Sequence, residues 1–473
     1  MRKPVVVALL PLLFAGCALG PKYKRPQIQP PASYYAEPQT SENSIADLAW
    51  WDLFKDPVLQ GLVREAFKNN YDLQLAVARV EQERALLGVS RSQYYPQVDY
   101  GASISGMQSP LVSNHTYYAY SFSTIWEIDL FGRLRKLNEA QRAVYFSSEE
   151  ARRDVRLLVL SEVAQGYFQL RALDEQVAIA HRTVQSFQVV LDLFQRKFEG
   201  GAASGLEVAR AQAALSNVAA AIPDFERQIV AQENALDLLL GRNPGPIARG
   251  AALVDQYDPP DVPAGLPATL LERRPDLREA EQNLITANAN VGVAKANFFP
   301  TISLTGALGG ISPQLSELTG SGKAWSLAGN LAGPLFTAGR LKSQYRASLA
   351  LRDQARISFE KAVTQAFGEV STSLSAHQQL AKSYLEELRS VEAYRESVQL
   401  SSTRYDSGLA SYFEIVDAQL ELYPAESSAV TYDLGRKLAL VSLYRALGGG
   451  WKLTDSQWAS TVGTPTSTQA PTP

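Results

Sequence analysis

Two stretches of the chain change from a helical to an alternating hydrophobic pattern in the same way. These are "SQYYPQVDYGASISG", from Ser92, and "ANFFPTISLTGALGG", from Ala296. In each, a helical pattern stops at two aromatic residues and a proline, and apolar and small polar residues then alternate. Apolar positions at helical spacing indicate an amphipathic helix, whereas a period of two indicates a strand with one apolar face. The pattern therefore predicts a helix followed by a strand at two places.

Further landmarks recur in the same order, which indicates a tandem repeat. "DLFGRLR" matches "PLFTAGRLK", and "KFEGGAASGLEVARAQ" matches "RYDSGLASYFEIVDAQ", with an offset that drifts by only a few residues. Internal repetition predicts that both halves fold as the same unit. We expect these units at residues 58–241 and 269–447, joined by a linker at 242–268.

Each unit is predicted to contain one β-hairpin, at residues 97–130 and 301–336. In "YYAYSFSTIWEIDL" one face carries six large apolar residues: Tyr118, Tyr120, Phe122, Trp126, Ile128 and Leu130. The other face carries small or acidic residues: Ala119, Ser121, Ser123, Glu127 and Asp129. This pattern suits a soluble sandwich or a transmembrane barrel, and strands of about ten residues can cross a bilayer when tilted. The segments "MQSPLVSNHT" and "ISPQLSELTGSGK" are predicted to be the hairpin loops.

Helix outweighs strand in both units. Residues 132–198 contain no proline and predict a single helix on the order of 100 Å long at 1.5 Å per residue. Its distal half has apolar residues spaced by four and three: Leu173, Val177, Ala180, Val184, Phe187, Leu191, Phe194 and Phe198. Such a stripe predicts packing against another helix in an elongated helical assembly.

Glycine-rich turns end these helices in both repeats. The patterns Ser204-x-x-Glu207 and Ser411-x-x-Glu414 are capping boxes, in which the side chains of the first and fourth residues satisfy the first N–H groups of a helix. We therefore expect a long helix, a tight turn and a returning helix in each unit, with Glu207 and Glu414 acting as caps.

Four predicted strands are too few to close a barrel. An open sheet edge cannot persist in lipid, so neighbouring chains would have to complete the sheet. Two chains would give eight strands with a filled interior, and three would give twelve. The small polar inner face favours an open lumen and hence the trimer.

The N-terminus has the pattern of an export signal. Residues 1–16 combine a basic start with a short apolar stretch and small residues before Cys17, the only cysteine. "FAGC" resembles a bacterial lipobox, which implies cleavage before Cys17 and its acylation; the alternative is an ordinary secretory signal with a chance cysteine. Residues 17–57 would form an extended arm and an equatorial segment, and residues 448–473 a C-terminal equatorial segment with a disordered tail.

Composition argues against several other classes of protein. The formal charge of −3 does not indicate nucleic-acid binding, and no run after the N-terminus predicts a membrane-spanning helix. The three histidines lack metal-ligand spacing, and no nucleophile elbow or phosphate loop is present. We therefore expect neither an enzyme nor a cofactor.

Several longer motifs resemble the TolC-like outer-membrane factors, in particular the lipoprotein branch that serves resistance-nodulation-division (RND) efflux pumps. They are "CALGPKYKRP", "WWDLFKDPVLQGLV", "GLPATLLERRPDLREAE", "ANFFP" and "VDAQ". The resemblance covers nearly the whole mature chain. It implies an α+β membrane protein that forms a homotrimer, with a twelve-stranded β-barrel in the outer membrane of a Gram-negative bacterium and a helical barrel in the periplasm.

The resemblance also implies function and partners. Such channels dock onto a periplasmic adaptor and an inner-membrane RND pump, and passively conduct drugs or other toxic compounds outward. Two alternatives remain open from the sequence: an exit duct for type I protein secretion, and a lipid-anchored periplasmic coiled-coil scaffold without a pore.

By resemblance, an iris-like periplasmic gate lies just beyond the second helical turn, at Phe413 and Asp417. Arg404 and Tyr405 would hold the helices shut through hydrogen bonds to neighbours. The alternatives are that Phe413 is a core residue and that Asp417 is placed by the helix dipole. The candidate adaptor contacts are small or exposed residues of the two turns, which a tight turn also requires: Gly200, Gly201, Ser204, Gly408, Leu409 and Ser411.

Overall fold

The computed structural model describes residues 19–34, 44–109, 112–259, 262–265 and 267–459. Cys17 lies outside these ranges. The described helices are α1 (Trp50–Leu53), α2 (Pro57–Asn69), α3 (Tyr71–Ser92), α4 (Arg133–Glu199), α5 (Gly205–Ala219), α6 (Ala221–Leu240), α7 (Leu270–Arg273), α8 (Pro275–Ala296), α9 (Arg340–Asp406), α10 (Tyr412–Ala446) and α11 (Asp455–Ala459). The strands are β1 (Gln97–Ser109), β2 (Val112–Ile128), β3 (Thr301–Ser312) and β4 (Lys323–Ala332). None of the described helices has the length and apolar character that a membrane crossing requires.

The four strands form one antiparallel sheet in the order β1-β2-β3-β4. The predicted number of strands is confirmed, and the two hairpins are joined because β2 pairs with β3. One row across the sheet consists of Tyr100, Phe122, Leu308 and Trp325, directly opposite one another. The row expected from alternation is therefore continuous across both repeats, and all four side chains are exposed.

One of the two hairpin loops differs from the expectation. The backbone of β1 continues to Ser109 and that of β2 begins at Val112, so most of "MQSPLVSNHT" is strand rather than loop. Its pairing is interrupted by a register shift between Met107 and Ser109. The prediction was wrong here because backbone pairing extends a strand beyond the alternating side-chain pattern. In the second hairpin, β3 and β4 flank a loop that contains a short 3-10 helix at Leu315–Glu317.

The turn from β2 into α4 is held by two acidic side chains. The carboxylate of Asp129 accepts hydrogen bonds from the backbone N–H groups of Leu134 (3.1 Å) and Arg135 (2.9 Å). Glu127 forms a 2.6 Å ion pair with Arg133. Because the first N–H groups of a helix have no partner within it, the carboxylate of Asp129 satisfies two of them, and Glu127 holds the side chain of the first residue of α4.

The returning helices differ between the repeats. In the second repeat, α10 is one helix of 35 residues that contains Pro424, whereas in the first repeat α5 ends at Ala219 and α6 begins at Ala221. Pro223 follows the break and has no N–H to donate to the carbonyl of Ala219. The equivalent turns of the two repeats are therefore followed by helices of different length.

The chain divides into two compact units. The first comprises Met1–Ile28, Val77–Ala151 and Asp276–Ala362, as far as these ranges are described, and contains the sheet. The second comprises Gln29–Ala76, Arg152–Pro275 and Val363–Pro473, with the same restriction. Its main core is a single apolar cluster whose fully buried side chains include Trp50, Leu59, Tyr167, Leu236 and Tyr444.

The predicted apolar stripe of α4 packs against α5. Ala180, Phe187, Leu191 and Phe194 are buried in a cluster with four residues of α5 and with Val416 of α10. The cluster members from α5 are Ala211, Ala214, Leu215 and Val218. Phe198, the last residue of the predicted stripe, is instead 53% exposed. It lies in the final turn of α4, which ends at Glu199.

Candidate functional site

The two turns that join the long helices to the returning helices carry most of the predicted site residues. We call them the first turn (Gly200–Ser204) and the second turn (Ser407–Ser411). Gly201 and Gly408 occupy equivalent positions with φ of 73° and 71°, a left-handed conformation that favours glycine. The residue after each glycine also makes an equivalent backbone hydrogen bond: Ala202 N donates to Lys197 O (2.7 Å), and Leu409 N donates to Arg404 O (2.8 Å). The backbone of both turns therefore ends its helix in the same way.

The first turn has the predicted capping box. The backbone N–H of Ser204 donates to Oε2 of Glu207 (2.7 Å), and the backbone N–H of Glu207 donates to Oγ of Ser204 (3.4 Å). The hydrogen bonds from Ser204 hold the pKa of the Glu207 carboxyl below its usual range. Glu207 is therefore a cap, as the sequence indicated.

The second turn lacks the predicted capping box. Ser411 occupies the N-cap position, but its side chain accepts no hydrogen bond from α10. Glu414 instead forms an ion pair with Arg404, with Nε and Oε2 3.4 Å apart. The prediction that Glu414 is a cap was wrong, because a nearby guanidinium draws the carboxylate away from the helix start.

Tyr405 connects α9 to α4 and α10 through contacts within one chain. Its hydroxyl accepts a hydrogen bond from Nζ of Lys197, and its ring meets the ring of Tyr412 edge-on at a centroid distance of 4.8 Å. Tyr412 in turn meets Phe194 edge-on at 5.4 Å. Burial raises the pKa of the Tyr412 hydroxyl above its usual value. The two turns are thus joined by a chain of aromatic contacts that ends in an ammonium group.

Phe413 lies on the surface of the chain. Its side chain is 50% exposed, and the guanidinium carbon of Arg210 lies 5.5 Å from its ring centroid. In this single chain it is therefore not a core residue. The contact is a cation–π pair between α5 and α10.

Asp417 is exposed on α10, just over one helical turn beyond Phe413. None of the described hydrogen bonds or ion pairs involves its carboxylate. It is the sixth residue of α10, and the influence of a helix dipole falls off within the first turn. A placement by the dipole alone therefore explains Asp417 poorly.

The candidate adaptor contacts share an exposed position at the turns: Gly200, Gly201, Ser204, Gly408, Leu409 and Ser411. Leu409 is 71% exposed, although it is a large apolar residue. Arg404 is also exposed and donates to the carbonyl of Leu409 (3.4 Å). The second turn thus presents an apolar side chain on a backbone held by an arginine.

Sequence reasoning did not predict the contacts that Lys197, Arg210 and Tyr412 make in this region. The repeat offered a signal for two of them, because Lys197 is the counterpart of Arg404, and Arg210 is the counterpart of Asp417. The contacts of Lys197 and Arg210 with residues of the second repeat do not follow from their positions in the repeat.

The described chain begins at Leu19, two residues after the predicted acylation site. Its backbone N–H donates to the carbonyl of Phe131 (3.2 Å), and Nδ2 of Asn288 donates to the carbonyl of Pro21 (3.1 Å). Farther along, Glu281 accepts hydrogen bonds from Tyr23 (2.9 Å) and Arg25 (2.7 Å). Residues 19–25 are therefore bound along α8, beginning next to the end of β2.

The chain matches a family model and many curated proteins along most of its length. The model of outer membrane efflux proteins matches residues 62–242 and 266–449. The solvent efflux pump outer membrane protein SrpC of Pseudomonas putida is 34% identical over 460 residues, covering 94% of this chain and 98% of SrpC. The probable outer membrane lipoprotein SilC of Salmonella typhimurium is 32% identical over 451 residues, covering 93% and 97%.

Solved structures show the same fold. The open state of the MtrE outer membrane channel of Neisseria gonorrhoeae has a TM-score of 0.85 and 31% identity, over 92% of this chain and 99% of MtrE. The outer-membrane channel OprN also has a TM-score of 0.85, with 29% identity over 92% of this chain and 100% of OprN. The resemblance to TolC-like channels is therefore confirmed, and with it the location in the outer membrane. The chain belongs to the family of outer membrane efflux proteins.

Proposed function

We propose that three copies of this chain form the outer-membrane channel of a tripartite efflux pump. Their twelve strands form a closed barrel in the outer membrane, and their long helices continue as a helical barrel into the periplasm. The channel passively conducts drugs or other toxic compounds that an inner-membrane RND pump and a periplasmic adaptor deliver. Acylated Cys17 anchors each copy in the membrane.

The sheet carries this proposal. Within the described residues, β1 and β4 each pair with one strand only, so one edge of each is open. With four alternating antiparallel strands per chain, β1 and β4 run in opposite directions, and β4 of one copy can pair with β1 of the next without breaking the pattern. The continuous row of Tyr100, Phe122, Leu308 and Trp325 is then a lipid-facing surface, which a pore-free scaffold would not need.

Disulfide cross-linking tests the assembly. The sulfur of acylated Cys17 is a thioether and cannot form a disulfide, so the wild-type background is used. We pair Ser103→Cys on β1 with Ser326→Cys, Ala328→Cys or Asn330→Cys on β4, all on the small-residue face. At least one pair should give a covalent ladder that ends at three subunits. A ladder that ends at two subunits, or no cross-link in membranes for any pair, would contradict the trimeric barrel.

In the proposed mechanism the periplasmic end is closed at rest. Threefold symmetry brings three copies of Phe413 and three of Asp417 towards one axis, where apolar rings dewet a pore and carboxylates repel one another and attract cations. The contacts of Arg404 and Tyr405 hold α9 and α10 in the closed arrangement. The exposed residues of the two turns bind the adaptor, whose docking moves these helices apart like an iris.

A further inference from the structure

One cavity lies in the second compact unit, away from both turns. It has a volume of about 250 Å³ and is bounded by α4, α9, α10 and the linker between the repeats. Its buried apolar lining comes from all four segments: Ile179, Leu253, Val391 and Ala429. An apolar cavity of about 150 Å³ is enough to hold a benzene molecule. This cavity, which is partly open to solvent, therefore has room for a substituted benzene.

A single polar group in the lining lacks a partner. Tyr384 is only 8% exposed and lines the cavity, yet none of the described residues forms a hydrogen bond with its hydroxyl. Its ring is covered by the guanidinium of Arg436 at 4.6 Å, which fixes the side chain. Burial, followed by the nearby charge of Asp433, raises the pKa of the hydroxyl, so it stays protonated at neutral pH. The cavity thus offers one hydrogen-bond donor that the described residues leave unused.

The charged groups at the cavity are already paired with one another. Glu426 forms a 2.6 Å ion pair with Arg395, and Glu175 lies 3.8 Å from Arg182. Asp433 is paired with Arg436 at 2.7 Å. An ionic ligand would have to displace one of these partners, whereas an uncharged ligand would leave them intact.

We propose that this cavity binds small uncharged aromatic molecules that carry one hydrogen-bond acceptor, to which the hydroxyl of Tyr384 donates. The aromatic ring lies against the apolar lining, and the acceptor lies towards α9. The site is separate from the proposed gate and needs neither the adaptor nor the pump.

A matched pair of probes tests this site. Acetophenone has a carbonyl acceptor, and α-methylstyrene has nearly the same shape without one. Saturable binding to the full chain, assembled in lipid nanodiscs, is measured by ligand-observed NMR. The wild type should bind acetophenone more tightly than α-methylstyrene. Tyr384→Phe should weaken the binding of acetophenone about three- to tenfold, the range expected for one hydrogen bond, and leave the affinity for α-methylstyrene unchanged.

Two further variants control the result. Ala429→Leu fills the cavity and should abolish binding of both probes; if it does not assemble, Leu388→Phe narrows the same cavity. Tyr394→Phe removes a hydroxyl from the same helix outside the cavity lining and should change nothing. Absence of saturable binding, as would follow if a neighbouring copy fills the cavity, overturns the proposal. Equal affinity of the wild type and of Tyr384→Phe for acetophenone also overturns it. Because no conductance is measured, this test and that of the channel can fail independently.

Discussion

Arg210 and Phe413 link the two repeats near their turns, with the guanidinium carbon 5.5 Å from the ring centroid. Arg210 stands at the position in the first repeat that Asp417 occupies in the second. Equivalent positions of the two repeats thus carry opposite charges, and the cation on α5 lies beside the aromatic ring of Phe413 on α10. In the proposed channel this pair ties the gate residue to α5 of its own chain.

Removing this pair should loosen the closed state. An exposed cation–π contact contributes about 0.5–1 kcal/mol, so Arg210→Gln should raise the closed-to-open equilibrium constant about two- to fivefold. Open probability in planar lipid bilayers measures the change. Phe413→Leu should have a similar effect, and the double variant should add little to either single one. Fully additive effects would show that the two side chains act independently.

Asp417 should limit the flow of ions through the resting channel. Because three carboxylates close together repel anions and bind cations, Asp417→Ala should raise ion conductance and reduce cation selectivity in planar bilayers. Glu421→Gln removes another exposed carboxylate of α10, about one turn farther on, and is the matched control. Unchanged conductance of the Asp417→Ala channel would remove this residue from the gate.

The two turns should respond differently to the same substitution. Ser204→Ala breaks a capping box and should speed amide hydrogen exchange in the first turn of α5, because an N-cap contributes about 0.5–2 kcal/mol. Ser411→Ala removes a side chain that caps nothing and should leave exchange at the start of α10 nearly unchanged. Equal acceleration at both sites would contradict the structural difference between the turns.

The C-terminal helix α11 should detach in acid. Partial burial raises the pKa of Asp455, but hydrogen bonds from Arg152 and Arg156 outweigh it and lower the pKa to about 2. A carboxyl whose pKa is lower in the folded state stabilises the fold above its unfolded value of 3.8, and this contribution is lost as the pH falls towards 2.

The buried ring of Trp458 on the same helix provides the measurement. The fluorescence difference between wild type and Trp458→Phe should change between about pH 4 and pH 2. In Asp455→Asn this fluorescence difference should already have the value of the detached helix at neutral pH and should not change further between pH 4 and pH 2. A transition of equal midpoint and amplitude in Asp455→Asn would assign the acid response to other groups.

Local patterns accounted for the strands and for one of the turns. Alternation placed Phe122 and Leu308 on one face, and pairing between β2 and β3 brings them directly opposite. Ser204 and Glu207 form their box because both partners lie within one helical turn. Such contacts depend on few neighbours, so composition and spacing are enough to predict them.

The amino-acid sequence by itself determined that this protein is a repeat of helices and hairpins whose strands have one apolar face. The tertiary structure decided how equivalent positions diverge: Glu414 pairs with Arg404 rather than capping α10, and Arg210 lies beside Phe413. It also joined the two hairpins into one sheet that, within the described ranges, has two open edges. These outcomes depend on which distant segments come together, and two copies of one local pattern carry no information about that choice.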